Sequence, residues 1–232
     1  MRNLIAAVAM LWLWSGQNTL EPRWTPLDTG VTTRLRGVSA ASDSVVWASG
    51  AGGTIIRTAD AGATWQTLSI PGTAKLDFRD IDAVDERTAY VLSIGPGDRS
   101  RIFKTLDAGA TWTEQFVNAD PKAFFDAMSF WDAARGLAFS DSVDGRLVIL
   151  ATSDGRTWTR IPPDTLPPAL DGEGAFAASG TNIAVQRPGH AWVGTGAADT
   201  ARVLRTADGG RTWQAATTPL AAGSSSGIFS IA

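Results

Sequence analysis

Short apolar runs recur along the chain, and each is followed by a polar turn and then by a tryptophan. The runs are Thr54–Arg57, Arg101–Lys104, Leu147–Leu150 and Arg202–Arg205. They are rich in Ile, Val, Leu and Phe, which favour extended backbone. A second strand-like run begins at the tryptophan, as in Trp65–Leu68. Two such runs joined by a turn of Asp and Gly predict a β-hairpin.

The turn is one phrase that occurs four times. It spans Thr58–Trp65, Thr105–Trp112 and Thr206–Trp213, with a copy one residue shorter at Thr152–Trp158. Its tryptophans lie 47, 46 and 55 residues apart, a spacing that indicates a repeated structural unit. The Asp can accept hydrogen bonds from turn N–H groups, the Gly can adopt positive φ, and the Trp can be a buried anchor. We therefore interpret the following residues as structural: Asp60, Gly62, Trp65, Asp107, Gly109, Trp112, Asp154, Gly155, Trp158, Asp208, Gly210 and Trp213.

The phrase resembles the Asp-box, or BNR repeat, S/T-x-D-x-G-x-T-W. Asp-boxes are known from sialidases, some glucan hydrolases, sortilin-type receptors and photosystem II assembly factors, and all of these are β-propellers. The resemblance implies an all-β fold, a β-propeller built from four-stranded antiparallel blades. It does not imply one activity, because this fold carries enzymes, receptors and assembly factors.

Four blades can be placed on the chain. Blade one is predicted at Leu35–Ala40, Val45–Ser49, Thr54–Thr58 and Trp65–Ile70, and blade two at Phe78–Ala83, Ala89–Ile94, Arg101–Thr105 and Trp112–Val117. Blade three is predicted at Phe125–Phe130, Gly136–Ser140, Arg146–Thr152 and Trp158–Ile161. Blade four is predicted at Gly174–Ser179 with a continuation near Ile183–Val185, then Ala191–Gly194, Arg202–Thr206 and Trp213–Ala216. Large residues at matching places in the second strands are predicted to form the core between blades: Trp47, Tyr90, Leu137 and Trp192.

Both ends of the sequence carry an isolated strand pattern. Trp24–Leu27 resembles a fourth strand without its blade, and Ile228–Ala232 resembles a first strand. The second and third strands of a shared blade are missing between them. We therefore expect four blades plus an orphan strand at each end, an open arc from a propeller of six or seven blades.

The N-terminus has the pattern of a secretory signal. Arg2 precedes an unbroken apolar run from Leu4 to Trp14, and small and polar residues follow. This run is too short for a transmembrane helix. We predict a signal peptide at residues 1–17, a propeller domain at 18–232, and a periplasmic or extracellular location. The chain has no cysteine, so it has no lipoprotein anchor, disulfide or thiolate metal site.

Charge and histidine content limit the possible functions. The chain has 20 Lys+Arg and 23 Asp+Glu, a balance that argues against nucleic acid as the partner. His190 is the only histidine, which rules out a multi-histidine metal site. No EF-hand pattern is present. We expect no metal and no cofactor.

Inner-strand aspartates suggest one catalytic hypothesis. Asp80 and Asp126 lie in the first strands of neighbouring blades, so their carboxylates could face one sugar as in a glycoside hydrolase. The pattern of a sialidase is not met. The single tyrosine, Tyr90, lies mid-strand at a core position, and Arg160-Ile161-Pro162 follows the third box, whereas in sialidases the corresponding motif precedes the first.

Inner-strand arginines suggest a binding hypothesis. Arg36 and Arg79 occupy the same place in the first strands of blades one and two, and could bind carboxylates or an acidic peptide. The first and second strands, Leu35–Val38 and Val46–Gly50, and the run Gly53–Thr58 into the box are similar to the photosystem II stability/assembly factor family and its relatives in non-photosynthetic bacteria. That resemblance implies a non-enzymatic scaffold that docks a protein. We expect this function, with a carbohydrate-active enzyme as the alternative.

Overall fold

The computed structural model describes residues 25–178 and 180–232, and this part of the chain contains sixteen strands in four antiparallel sheets. Blade one contains β1 (Leu35–Ala40), β2 (Val46–Gly50), β3 (Thr54–Thr58) and β4 (Gln66–Leu68). Blade two contains β5 (Asp77–Ala83), β6 (Ala89–Ile94), β7 (Arg101–Thr105) and β8 (Thr113–Val117). Blade three contains β9 (Phe125–Phe130), β10 (Gly136–Val143), β11 (Arg146–Thr152) and β12 (Thr159–Arg160). Blade four contains β13 (Ile183–Gln186), β14 (His190–Gly194), β15 (Arg202–Thr206) and β16 (Gln214–Thr217).

Strand order within each sheet follows the order along the chain, which confirms the predicted four-stranded blades. Two short 3-10 turns, Gly97–Arg99 and Pro163–Thr165, are the only helical elements in the described residues. No helix in this part of the chain has the length and apolar character that crossing a membrane would require.

The predicted core between blades is present. Trp47, Tyr90 and Leu137 are completely buried, and each lies in a cluster that joins its blade to the next. Both faces of a second strand pack against neighbours, so β6 is buried at every position. The fourth member of the set, Trp192, remains partly exposed.

The predicted first strand of blade four is wrong at Gly174–Ser179, whereas its continuation near Ile183–Val185 is confirmed. The strand begins at Ile183, and within 174–178 only Gly174 makes a bridge, to Gly196. The physical reason lies just before it, where the buried Glu173 carboxylate accepts hydrogen bonds from Arg202 and Thr195. This network holds the start of the segment beside β15, and the chain then follows a turn-rich path before it enters β13.

One contact repeats from each blade to the next. The residue three positions after a box tryptophan contacts the glycine of the next box. Leu27 makes the same contact with the first box, where a Cβ added at Gly62 would lie 2.7 Å from Leu27 Cδ1. The four pairs are Leu27 with Gly62, Leu68 with Gly109, Gln115 with Gly155, and Ile161 with Gly210. At Gly62 and Gly109 this contact leaves no room for a side chain, and at all four box glycines a positive φ of 63° to 89° favours glycine.

The terminal segments occupy the places predicted for orphan strands without forming strands. Trp24 and the predicted signal peptide lie outside the described residues. Leu27 makes the contact that a preceding outer strand would make. Gly227 bridges Gly196 much as Asp77, the first residue of β5, bridges Ala51 of blade one. The segment that follows Gly227 therefore lies where the first strand of a further blade would begin.

Candidate functional site

The box aspartates accept their hydrogen bonds from groups within their own turns. Asp60 accepts hydrogen bonds from the Thr64 hydroxyl at 2.6 Å, the Thr64 N–H at 2.8 Å and the Thr58 hydroxyl at 2.8 Å. These bonds, led by that of the Thr64 side chain, lower the pKa of Asp60 to about 2. Asp107 and Asp208 make the same set of bonds. Because the boxes join the third and fourth strands, these carboxylates lie at the outer edge of each blade, and their role is to close the turn.

The shortened third box makes a contact that the other three do not. The Gly155 carbonyl accepts hydrogen bonds from Lys104 Nζ at 2.9 Å, Gln115 Nε2 at 2.9 Å and the Tyr90 hydroxyl at 3.2 Å, all from blade two. Lys104 Nζ also lies 4.7 Å from the centre of the Tyr90 ring. The sequence analysis missed Lys104. A signal was present, because both Arg57 and Lys104 directly precede the threonine that starts a box. In the structure Arg57 lies over the Trp47 ring, as Lys104 lies over the Tyr90 ring.

Arg36 and Arg79 occupy matching places on β1 and β5, as predicted. Val38 pairs with Ala48, and Ile81 pairs with Val91, which is the equivalent residue of the second strand in blade two. Arg36 lies two residues before Val38, and Arg79 lies two residues before Ile81.

The two arginines differ in their partners. Arg79 Nε forms an ion pair with Asp77 at 3.0 Å, and its Nη1 donates to the Ala177 carbonyl at 2.7 Å. Arg36 is half-buried, and its side chain has no hydrogen bond or ion pair within the described part of the chain. Of these two arginines, Arg36 is therefore the one whose guanidinium remains available to a ligand.

Asp80 is buried between blades two and three. Its side chain is 5% exposed, and Oδ2 accepts a hydrogen bond from the Met128 N–H of β9 at 2.7 Å. Burial raises the pKa of Asp80 to about 8, and the charge of neighbouring Asp82 adds to the effect. Asp82 accepts a similar bond from the Phe130 N–H at 3.0 Å. These two carboxyls connect the first strands of adjacent blades.

Asp126 is buried separately. It is 1% exposed, and burial raises its pKa well above the usual value. The charge of Asp141 adds to this effect, and that of Arg79 opposes it. Its Oδ2 is buried without a hydrogen bond. The electrostatics therefore couple Asp80 to Asp82 and Asp126 to Asp141, and both members of the predicted sugar-facing pair are almost inaccessible to solvent.

Open grooves occur between neighbouring blades near the boxes. A groove of about 340 Å³ between blades two and three is lined by Lys104, Leu106, Glu114 and Arg156, among others. A groove of about 470 Å³ lies between blades three and four. No group of three His, Cys, Asp or Glu side chains in residues 25–178 and 180–232 is arranged to hold a metal ion.

Comparison with known proteins gives structural likeness only. No protein-family model and no curated protein sequence matches the chain. Among solved structures, an ancestral GH74 enzyme is similar with a TM-score of 0.53 and 14% identity, over 79% of this chain and 25% of that one. YCF48 bound to D1 peptide matches at a TM-score of 0.40 and 19% identity, over 86% of this chain and 72% of that one. YCF48 from Cyanidioschyzon merolae matches at 0.44 and 15%, over 81% and 72%.

These similarities are too distant to assign an activity, and they concern the arrangement of strands. The similarity to the GH74 enzyme agrees with the four antiparallel sheets of four strands. The chain has the fold of a BNR, or Asp-box, β-propeller.

Proposed function

We propose that this protein is an exported, non-enzymatic propeller that serves as a docking or assembly scaffold for another protein. The observation that carries the proposal is the half-buried guanidinium of Arg36, which has no partner in the described residues and stands at the same strand position as Arg79. A guanidinium presents several donors in a planar fork that matches a carboxylate. The partner chemistry that fits is an acidic segment of a protein.

Arg79 supports this role by being held in place. Its bonds to Asp77 and to the Ala177 carbonyl fix the guanidinium next to the first strand of blade two. A fixed cation loses little side-chain freedom when a carboxylate approaches, so it adds attraction at small entropic cost. Arg36 then provides the direct contact, and Arg79, whose charge is shared with Asp77, adds a fixed guanidinium on the neighbouring first strand.

The proposal is tested with a dye-labelled glutamate oligomer as the probe. Fluorescence anisotropy should show saturable, salt-sensitive binding, and Arg36→Glu should weaken it by at least about tenfold. Arg36→Lys should keep part of the affinity, because charge remains but the fork is lost. Arg160→Glu is the control, since Arg160 is exposed on the outer strand of blade three. Equal weakening by the control would contradict a site at Arg36.

The alternative function is a glycoside hydrolase, and one observation favours it. A carboxyl with a pKa of about 8, as at Asp80, is protonated at neutral pH and could act as a general acid. Its burial argues against this role, because a general acid must reach the glycosidic oxygen. Release of reducing sugar from β-glucan or xyloglucan that disappears in both Asp80→Asn and Asp126→Asn would establish the hydrolase instead.

Export is the remaining part of the proposal, and it rests on the apolar run from Leu4 to Trp14. Fusion of residues 1–24 to a reporter that is active only outside the cytoplasm should give activity. Replacement of Leu11 and Leu13 by Arg should abolish that activity, because the apolar stretch is interrupted.

A further inference from the structure

The groove of about 340 Å³ between blades two and three carries a large apolar side chain at its edge. Leu106 is the second residue of the second box, and it is 61% exposed. The equivalent residues of the other boxes are small: Ala59, Ser153 and Ala207. All four boxes close their turns, so the turn does not require leucine. Because single exposed leucines are common on protein surfaces, the surroundings of Leu106 decide what it means.

Two cations lie in the same groove. Lys104 is on β7, just before the second box, and Arg156 belongs to the third box on the other side of the groove. Burial and then the charge of Arg156 lower the pKa of Lys104, so the two cations are close enough to repel each other. Lys104 Nζ donates to the Ala133 and Gly155 carbonyls and has one N–H donor left. Arg156 is exposed, and its side chain makes no hydrogen bond or ion pair with the described residues.

The carboxylates nearest to the groove have other partners. Glu114, which also lines the groove, forms an ion pair with Arg101 at 3.1 Å. Asp154 attracts Lys104, but its Oδ1 accepts hydrogen bonds from N–H groups of its own turn, including that of Arg156 at 2.8 Å. Neither carboxylate forms an ion pair with the two groove cations within the described part of the chain. The groove therefore favours an anionic ligand.

The other two interfaces between described blades serve as an internal comparison. The equivalents of Lys104, Leu106 and Arg156 are Arg57, Ala59 and Ala110 between blades one and two, and Ala151, Ser153 and Arg211 between blades three and four. Each of these sets has one cation and no large apolar side chain. Both interfaces nevertheless have well-packed cores. Packing of the blades thus does not require the combination found between blades two and three.

We propose that this groove binds an extended acidic segment of a partner protein, with one large apolar side chain packed on Leu106 and an adjacent carboxylate paired with Arg156 and Lys104. An inorganic anion would leave Leu106 in water, and a purely apolar ligand would leave both cations unpaired. A segment with both features uses the whole groove. A volume of about 340 Å³ is small for a ligand pocket, so it admits individual side chains rather than a folded domain. The site is separate from Arg36, which lies on the first strand of blade one.

The probe for this site is the dye-labelled heptapeptide Gly-Ser-Glu-Leu-Glu-Ser-Gly, titrated with the intact protein and followed by fluorescence polarisation. Leu106→Ser should weaken saturable binding at least about fivefold, because the apolar contact is lost. Serine stands at this place in the third box, so the variant should fold. Leu220→Ser is the matched control, since Leu220 is 55% exposed and does not line the groove.

A second pair of variants tests the charge. Arg156→Ala should weaken binding about threefold and reduce its dependence on salt, as expected for an exposed ion pair. Arg211→Ala, at the equivalent place in the fourth box, should leave it unchanged. The peptides Gly-Ser-Gln-Leu-Gln-Ser-Gly and Gly-Ser-Glu-Ala-Glu-Ser-Gly should both bind more weakly than the probe, because each lacks one of the two features.

Methyl NMR gives a second readout that locates the peptide. The Leu106 methyl signals should shift along a saturable curve when the peptide is added, and those of Leu220 should not move. The proposal is overturned by absence of saturable binding, by unchanged affinity in Leu106→Ser, or by equal affinity for the glutamine peptide. Loss of binding in Arg36→Glu with retention in Leu106→Ser would assign the peptide to Arg36 instead, so failure here is distinct from failure of the docking function. Concentration-dependent dimers that Leu106→Ser dissociates would also overturn it and would identify a second copy of the chain as the occupant.

Discussion

Aspartate plays two opposite electrostatic roles in this molecule. In the boxes, hydrogen bonds from threonine side chains and turn N–H groups stabilise the charged form, so the pKa values of Asp60, Asp154 and Asp208 fall to about 2. Between the first strands, burial destabilises the charged form, so the pKa of Asp80 rises to about 8 and that of Asp82 to about 6. The same residue type therefore has a lowered pKa in the boxes and a raised pKa between the first strands.

Replacing Asp80 by Asn should flatten the dependence of stability on pH. The folded-state pKa of Asp80 lies above the ordinary aspartate value of 3.8, so the native state binds more protons than the unfolded state between about pH 4 and 8. Native stability must then fall as pH rises through this window. In Asp80→Asn that fall should be smaller, while the amide oxygen can still accept the Met128 N–H. Urea midpoints at several pH values measure the effect, and exposed Asp43→Asn should behave like the original protein.

At the scale of elements, the unit of packing is the hairpin of third and fourth strands with its box, which packs against the preceding blade. Trp112 shows this arrangement, because its ring meets Trp47 of blade one edge-on, with ring centroids 6.2 Å apart. Leu68 of blade one meets Gly109 of the same box. A box thus closes its own turn and also locks two blades together.

Truncation of the box tryptophan should weaken this lock. Trp112→Ala should lower the free energy of unfolding by about 3 kcal/mol, since a large, half-buried ring is lost at the contact between blades. Chemical denaturation with tryptophan-independent detection, such as far-UV circular dichroism, measures it. An unchanged midpoint would show that Trp112 is not an anchor.

A substitution at the box glycine tests the contact between blades directly. Gly109→Ala should destabilise by roughly 1–3 kcal/mol, because the added methyl meets Leu68 and the backbone has a φ of +89°. In a Leu68→Ala background, Gly109→Ala should destabilise less, because the steric clash is removed and only the cost of the positive φ remains. Additive effects in this cycle would mean that the two residues do not interact.

The strand pattern was predictable wherever local sequence decides it. The run Ala89–Ile94 and the box turns are set by β-forming residues and turn chemistry, and the structure has β6 at those bounds. The first strand of blade four was misplaced because its position depends on Glu173 reaching Arg202, a contact across 29 residues that periodicity does not reveal. For the same reason, the sequence placed Asp80 and Asp126 on neighbouring first strands but could not tell that both would be buried.

At the scale of the whole molecule, order should decline toward blade four. Blades two and three have neighbours on both sides, whereas Trp192 and Val203 of blade four are partly uncovered. In a repeat fold, stability comes largely from interfaces between neighbours.

Native-state hydrogen exchange should reproduce this gradient. The amides of β6 and β10 should exchange more slowly than those of β14, the equivalent second strand of blade four, because one face of β14 is only partly covered. Mass spectrometry of peptic fragments resolves these regions. Uniform protection across all four blades would contradict the gradient and indicate a further contact on blade four.

The pairing of Gln115 with the short third box has a consequence for recombination. Gln115 Nε2 donates a hydrogen bond to the Gly155 carbonyl. In the other three boxes the glycine instead contacts an apolar side chain of the preceding segment, Leu27, Leu68 or Ile161. A chimera that exchanges whole blades would separate each of these residues from the box it fits. The segment that keeps these contacts together runs from the outer strand of one blade to the box of the next. Recombination in such a protein should therefore be tolerated best when the crossover point lies within a blade rather than between two blades.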